Sequence, residues 1–275
     1  MMSLISATEY DSSIVLTKED TFAYLFEGNT HLLNHPIIKI QLPAIILAEN
    51  CYQSMFEGCT GIEIAPELPA TTLVRRCYSA MFQGCTSLTT APQLPAQIMK
   101  ESCYAYMFSG CTNIVNVPEL PATIMADYCY NGMFSGCSSL VNVPELPATV
   151  MSECCYSNMF YYCNGLIEVP DNYLPSTALE ESCYCRMFAN CNSLTKAPDL
   201  PALTLAPNSY SFMFVGCTSL SYIKALFLTT PGQGFTEGWV EGVASTGTFV
   251  KNPEATWEVI GDDGIPEGWT VGNVQ

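Results

Sequence analysis

The sequence predicts an α/β repeat fold: a solenoid with one short strand and one short helix per repeat of about 26 residues. The first observation is a nine-residue stretch, Cys77–Cys85, that recurs along most of the chain. The second is a fixed spacing, since the methionines at the centres of the copies lie 26 residues apart, with one step of 28. The methionines are Met55, Met81, Met107, Met133, Met159, Met187 and Met213. The third observation is a strand-like run that follows each copy.

The recurring stretch predicts the helix. Within Cys77–Cys85 the apolar side chains fall at i, i+1, i+4, i+5 and i+8, which on a helix form one stripe about two turns long. Gly84 stands where such a helix would need a left-handed C-cap. A helix this short is unstable alone, so we expect it to be held by packing against neighbouring repeats.

The run that follows predicts the strand. Its apolar positions include Leu88 and Leu94, and they recur in the other repeats. Proline cannot donate to a sheet ladder, so we expect Pro92 to end a very short strand and Pro95 to begin the crossing back to the helical side.

The repeated string Met-Phe-x-Gly-Cys-Thr-x-Leu-x-x-Ala-Pro-x-Leu-Pro resembles the BspA-like, treponemal-type leucine-rich repeats over roughly residues 21–224. It differs from them in a longer unit, an extra proline and a second cysteine column. The resemblance implies a right-handed leucine-rich-repeat solenoid capped at both ends. It also implies a bacterial cell-surface or secreted adhesion protein that binds host matrix proteins or other bacteria.

Three regions follow from the repeat pattern. Residues 1–43 are predicted to form an N-terminal cap and a degenerate first repeat, 44–224 the repeat array, and 225–275 a β-rich C-terminal cap. The first repeat replaces both cysteines and carries four extra residues. Strands are predicted near residues 13–16 and at 220–223, 248–250, 256–260 and 269–271, with a turn at 261–264.

Composition excludes several classes. Only 13% of the residues are charged and 49% are hydrophobic, which is not the composition of a disordered chain. A net charge of −17 disfavours binding to nucleic acid or anionic membranes. No apolar run is long enough to span a bilayer, so membrane insertion is not expected. The N-terminus shows no signal peptide pattern.

Thirteen of the fifteen cysteines occupy two repeat columns. The spacing within and between repeats disfavours disulfides, so we interpret these columns as buried thiols that act as small hydrophobes. Cys154 and Cys185 stand outside the columns. Two interpretations remain open for them. One is a special role, either a disulfide between the two or a thiolate metal site with Cys155 and Cys183. The other is that they are two small side chains on a crowded surface.

The sequence predicts that the protein is not an enzyme and uses no cofactor or metal. It has two histidines, His31 and His35, whose i, i+4 spacing lacks the glutamate of a zincin motif, so we expect them in a solvated loop. No phosphate-binding loop, nucleophile elbow or C-x-x-C pair occurs. The tyrosine and phenylalanine columns are predicted to be core, with the tyrosine hydroxyls tilted towards water.

The candidate binding face lies on the predicted strands. If one strand column faces outward, Val115, Val141 and Ile167 form an exposed apolar strip beside Asn116 and Asn142. An acidic column runs next to it and would dock a basic or calcium-bearing partner; the alternative is a solvated rim. The acidic column comprises Glu67, Gln93, Glu119, Glu145, Asp171 and Asp199.

We therefore expect a non-catalytic protein-binding module, because a repeat array offers an extended surface and no catalytic motif competes with that interpretation. A structural spacer that displays other modules is one alternative. A carbohydrate-binding module that uses the tyrosines is another. The oligomeric state stays open.

Overall fold

The computed structural model describes residues 15–37, 39–232 and 234–273. Within these residues there is no helix and there are three strands, so the predicted α/β fold class, with one strand and one helix in each repeat, is wrong. The repeats nevertheless stack with the expected period, through bonds at a sequence offset of 25 residues at most interfaces and of 29 and 27 where a repeat carries extra residues. The strands of the described residues are β1 (Tyr222–Ala225), β2 (Thr248–Lys251) and β3 (Thr270–Asn273), which pair in parallel in that order.

A turn segment, a nine-residue run of overlapping four-residue turns, stands where each helix was predicted. In segment 76–84 and the residue after it, every second residue from Cys77 to Cys85 donates its N–H to the carbonyl three residues earlier. The residues between them donate to the next repeat instead. Segments of this kind in the described residues are 20–28, 50–58, 76–84, 102–110, 128–136, 154–162, 182–190, 208–216 and 234–242.

Five hydrogen bonds join each turn segment to the next. From segment 76–84, for example, Ala80 donates to the Ala105 carbonyl at 2.8 Å and Gly84 to the Ser109 carbonyl at 2.7 Å. An α-helix would use these N–H groups internally and leave none for its neighbour. The ladder on this side of the stack therefore depends on the chain not being helical.

The turn segments require a left-handed backbone at every fourth residue. Arg76, Ala80 and Gly84 have φ values of 51°, 53° and 71°. A non-glycine residue in this conformation costs about 1–2 kcal/mol. Five inter-repeat bonds at about 0.5–1.5 kcal/mol each outweigh the two such residues of this segment. Glycine at the third position of most segments lowers the cost further.

The core is a set of columns that run through the stack. The repeated Cys, Tyr, Met, Phe and Cys positions of the turn segments are at most 1% exposed. Successive tyrosine rings from Tyr52 to Tyr210 stack at 5.7–6.1 Å between centroids. The phenylalanine rings from Phe56 to Phe214 stack at 5.5–5.9 Å. Such contacts add about 0.5–1.5 kcal/mol per pair to area burial.

The open side is the part of each repeat that runs between turn segments. It carries isolated parallel bridges in two columns, one at the predicted strand position and one at the corner before the next turn segment. Ile64, Thr90 and Asn116 bridge in the first column, and Ile98 and Ile124 in the second. The open side is therefore joined at single residues, in contrast to the continuous ladder of the turn side.

The stack continues beyond residue 224, where the sequence pattern stops. Segment 234–242 accepts the ladder bonds of segment 208–216, and Trp239 takes the position that methionine holds in earlier repeats. The terminal N–H groups are then capped: Gly238 donates to Asp263 Oδ1 at 2.7 Å and Val240 to the Asp262 carbonyl at 3.2 Å. All three tryptophans are buried here, as predicted for the cap.

The predicted C-terminal elements are observed in part. β2 and β3 overlap the predicted strands at 248–250 and 269–271, and a turn forms at 261–264. The strand predicted at 256–260 is wrong, because only Ile260 forms a bridge there. Near the N-terminus, Val15 forms a single bridge to Ile46, and residues 13 and 14 lie outside the described residues.

Candidate functional site

The predicted apolar strip lies on the open side. Val115, Val141 and Ile167 are 41%, 54% and 56% exposed, which for β-branched side chains in three consecutive repeats is a continuous apolar surface. Asn116 and Asn142 beside them are also exposed. Buried leucine or isoleucine residues precede each strip residue and hold its backbone to the core, as Leu140 does before Val141.

The strip coincides with a gap in the hydrogen bonding of the open side. Val115 donates to the Thr89 carbonyl at 3.4 Å, and Thr195 donates to the Ile167 carbonyl at 3.0 Å. Among the described residues, no backbone bond joins Val115 to Val141 or Val141 to Ile167. The N–H groups of Val141 and Ile167 and the carbonyls of Val115 and Val141 therefore have no backbone partner in this part of the structure.

The acidic column is divided by its ion pairs. Glu67, Glu119 and Glu145 are exposed, and none of the ion pairs within the described residues involves them. Asp199, in contrast, is half-buried and accepts from Lys224 Nζ at 2.5 Å. Asp171 likewise pairs with Lys196 at 2.6 Å. The carboxylates without an ion pair thus lie among the first four of the six column positions, and the last two positions are paired.

The two lysines belong to the repeats that follow their aspartates. The hydrogen bond that Lys224 donates to Asp199 raises the pKa of Lys224 above its usual value, and the bond that Lys196 donates to Asp171 does the same for Lys196. Lys196 Nζ also lies 5.1 Å from the centroid of the Tyr222 ring. A basic partner would meet neutralised pairs at this end of the column, so Asp199 is a poor candidate for binding.

The cysteine columns are buried free thiols, as predicted. The second column does more than fill space, because each thiol donates to the phenylalanine carbonyl of the preceding repeat, as Cys85 does to Phe56 at 3.0 Å. Burial raises the pKa of these thiols, to about 12 for Cys137 and Cys217. The thiol donors were not predicted from the sequence. The available signal was that each phenylalanine of the column from Phe56 to Phe214 is followed three residues later by a cysteine.

Cys154 and Cys185 are half-buried free thiols, so the structure contains neither the disulfide nor a metal cluster with Cys155 and Cys183. Burial raises the pKa of both thiols. Cys154 forms a side-chain hydrogen bond with Ser182, and the Cys185 carbonyl accepts from Ser157 Oγ at 3.1 Å. The two side chains therefore fit the simpler interpretation, as packing residues of a turn segment.

The tyrosine column does not reach water. Its rings are 1% exposed, so the predicted outward tilt of the hydroxyls is wrong. The Tyr52 and Tyr78 hydroxyls are buried without a hydrogen-bond partner, whereas the Tyr156 hydroxyl contacts Met125 Sδ at 3.7 Å. Sugar stacking on this column has no accessible ring face.

The histidines lie in exposed chain at the N-terminal end of the open side. His35 Nδ1 accepts from the Ile37 N–H at 3.1 Å, and His31 Nδ1 lies 3.4 Å from Thr30 Oγ1. Within the described ranges, no three metal-ligating side chains come together. The same part of the chain contains no helix with the length and hydropathy needed to cross a bilayer.

A second exposed apolar column was missed by the sequence analysis. Ile98, Ile124 and Val150 at the corner position are 51%, 55% and 67% exposed. In each of these repeats two exposed residues precede a buried methionine, as Gln97 and Ile98 precede Met99, and this pair was the available signal for the column. This corner column lies on a different part of the repeat from the strip.

No family model matches the chain, and no curated protein matches it. Among solved structures, the chain is similar to a leucine-rich repeat protein from Bacteroides ovatus, at 16% identity over 92% of this chain and 86% of that one. The TM-score of that match is 0.28, too low for the superposition to support an argument.

Proposed function

We propose that the chain is a non-catalytic protein-binding module, of the bacterial surface or secreted kind that its BspA-like repeat motif resembles. The partner binds across the open side, over the apolar strip and the neighbouring free carboxylates. The observation that carries this proposal is the continuous exposure of Val115, Val141 and Ile167 on an acidic chain. Exposed apolar surface that spans several repeats marks interaction sites more often than scattered single residues do.

Two further features support the open side over the turn side. The turn side is occupied by its own ladder and core columns, so its backbone has no free groups in mid-array. At the strip, the N–H groups of Val141 and Ile167 and the Val141 carbonyl have no backbone partner among the described residues, and main-chain bonds combined with side-chain contacts are a common mode of recognition. Glu119 and Glu145 beside the strip favour a partner with basic residues.

The test uses the full chain as bait against purified extracellular matrix proteins and cell-surface extracts at physiological salt. We expect saturable capture of a defined protein. The double variant Val141→Asp/Ile167→Asp should weaken that capture at least about tenfold, since a buried charge opposes apolar contact. Its control is Ile124→Asp/Val150→Asp in the corner column, which has similar exposure and should leave capture unchanged.

Equal capture by both double variants would place the interface elsewhere. Absence of any saturable partner, together with a discrete self-assembled species in light scattering, would instead favour the structural spacer. Both double variants replace exposed side chains, so thermal unfolding should confirm that the fold is retained in each.

A further inference from the structure

A cavity of about 670 Å³ opens on the open side at the N-terminal end of the stack. One wall comes from the first repeat, residues 34–36 and 39–43, and the other from the second repeat, residues 63–67 and 69. Its volume lies within the range of about 300–1,000 Å³ found for small-ligand sites. The cavity lies apart from the apolar strip, which begins two repeats later.

The cavity is built by the insertion in the first repeat. That repeat is four residues longer than the regular unit, and the extra residues fall in the 34–43 wall. Asn34 ties this wall to the second repeat, because its Oδ1 accepts from the N–H groups of Glu63 at 2.7 Å and Ile64 at 2.9 Å. Its Nδ2 donates to the Ile64 carbonyl at 2.9 Å. The walls are therefore fixed to each other.

The second repeat also departs from the pattern at this place. It carries two carboxylates on the cavity, Glu63 and Glu67. In the later repeats the position equivalent to Glu67 is acidic or glutamine, and the position equivalent to Glu63 is uncharged. Neither glutamate belongs to any of the ion pairs within the described residues. The uncharged equivalents of Glu63 are Thr89, Val115, Val141, Ile167 and Thr195.

The remaining lining favours a cation with an apolar body. Pro36, Pro43, Pro66 and Ile64 supply apolar surface. Against the two carboxylates there is one ammonium group on the lining, at the exposed Lys39, and the whole chain carries −17.

We propose that this cavity binds an organic cation with an apolar body, namely an arginine or lysine side chain of the protein partner. This proposal rests on the proposed function, since the cavity then anchors a basic segment at the N-terminal end of the acidic column. Glu63 and Glu67 hold the charged group, and the prolines with Ile64 pack against its aliphatic stem.

The probe for the cavity alone is hexylammonium, titrated into the isotope-labelled full chain and followed by NMR shifts of residues 34–43 and 63–69. We expect saturable shifts confined to these residues, and weaker binding as ionic strength rises. Hexan-1-ol and hexanoate, which have the same alkyl chain without the positive charge, should bind at least about tenfold more weakly.

Variants assign the charges. Glu63→Gln and Glu67→Gln should each weaken hexylammonium binding about threefold to tenfold, whereas the matched variant Glu119→Gln, two repeats away in the same column, should not change it. Lys39→Ala should tighten binding, because it removes the one positive charge on the lining. All four positions are exposed, so none of these changes should disturb the fold.

The outcomes separate this proposal from the proposed function. Equal binding of hexylammonium and hexan-1-ol, or unchanged binding by both glutamine variants, would overturn the cavity proposal even if Val141→Asp/Ile167→Asp still abolishes partner capture. Hexylammonium binding that depends on Glu63 and Glu67 supports it even if the bait captures no protein, in which case the proposed function fails instead.

Discussion

The turn side and the open side of the same repeats are built on opposite principles. On the turn side five backbone hydrogen bonds cross every interface between segments, and the core columns repeat almost without variation. On the open side single bridges alternate with gaps, and exposed positions vary from one repeat to the next. The contacts that join the repeats are thus concentrated on the turn side, and the variable exposed positions lie on the open side, where we propose that a partner binds.

The first prediction tests the turn side by alkaline unfolding. Burial raises the pKa of the thirteen column thiols above the value of about 8.5 in an unfolded chain, so the folded state holds their protons more tightly. Stability is therefore complete below about pH 8.5 and is lost as the pH rises above it, by about 1.4 kcal/mol per pH unit for each thiol. Thirteen thiols lose about 18 kcal/mol per unit, which exceeds a typical domain stability.

We therefore expect cooperative unfolding between about pH 9 and 10 in reducing buffer, measured by circular dichroism. Cys111→Ala should lower the slope of unfolding free energy against pH by about 1.4 kcal/mol per unit, because it removes one titrating thiol. The control Leu140→Ala removes a buried side chain but no thiol, and should lower stability at every pH without changing the slope. Stability that is constant to pH 10.5 would contradict the prediction.

The second prediction compares the two sides within one repeat. Phe134 is fully buried and stacks on Phe108 and Phe160 at 5.7 and 5.9 Å, so Phe134→Ala should cost about 3–5 kcal/mol of unfolding free energy. Val141 is 54% exposed, and Val141→Ala should cost less than about 0.5 kcal/mol. Urea denaturation of both variants measures the difference. Similar losses would show that the open side also carries the stability of the stack.

The core could be predicted from the sequence because burial repeats with the same period as the residues. The columns through Met81 and Phe82, the free thiols and the tryptophan-rich cap follow from hydrophobic spacing alone. The backbone between those residues could not be read in the same way. An i, i+4, i+8 spacing puts side chains on one side of either a helix or a run of four-residue turns.

A weaker signal for the turns was present in the residue types. Left-handed positions favour glycine and asparagine, and glycine holds the third such position in seven of the nine segments, as at Gly58, while asparagine holds a few of the others, as at Asn50. The last turn segment, 234–242, was not predicted because Trp239 replaces methionine there. Gly242 nevertheless follows Gly216 by the repeat length of 26 residues. The residue types at positions that require a left-handed backbone therefore indicated turns, which hydrophobic periodicity alone did not distinguish from a helix.

The site was predictable to a smaller extent. Strand alternation pointed to the strip, whose members are exposed, but the pairing of Asp199 with Lys224 depends on the register between adjacent repeats. The N-terminal cavity depends on the path of an insertion, which no repeat pattern specifies. Sequence reasoning thus located surfaces that recur and missed those formed where the repeat is broken.

The smallest predicted effect distinguishes turns from helices most sharply. Ala80 is left-handed, with φ of 53°, so Ala80→Gly should stabilise the protein by about 0.5–1 kcal/mol by removing the cost of that conformation. In a helix the same change would destabilise by a similar amount, because glycine is the poorer helix former. The control is Ala105→Gly in the next turn segment, where φ is not positive and glycine should destabilise in either structure. Urea denaturation of the two variants gives opposite signs if the segments are turns, and a loss in both would restore the helix.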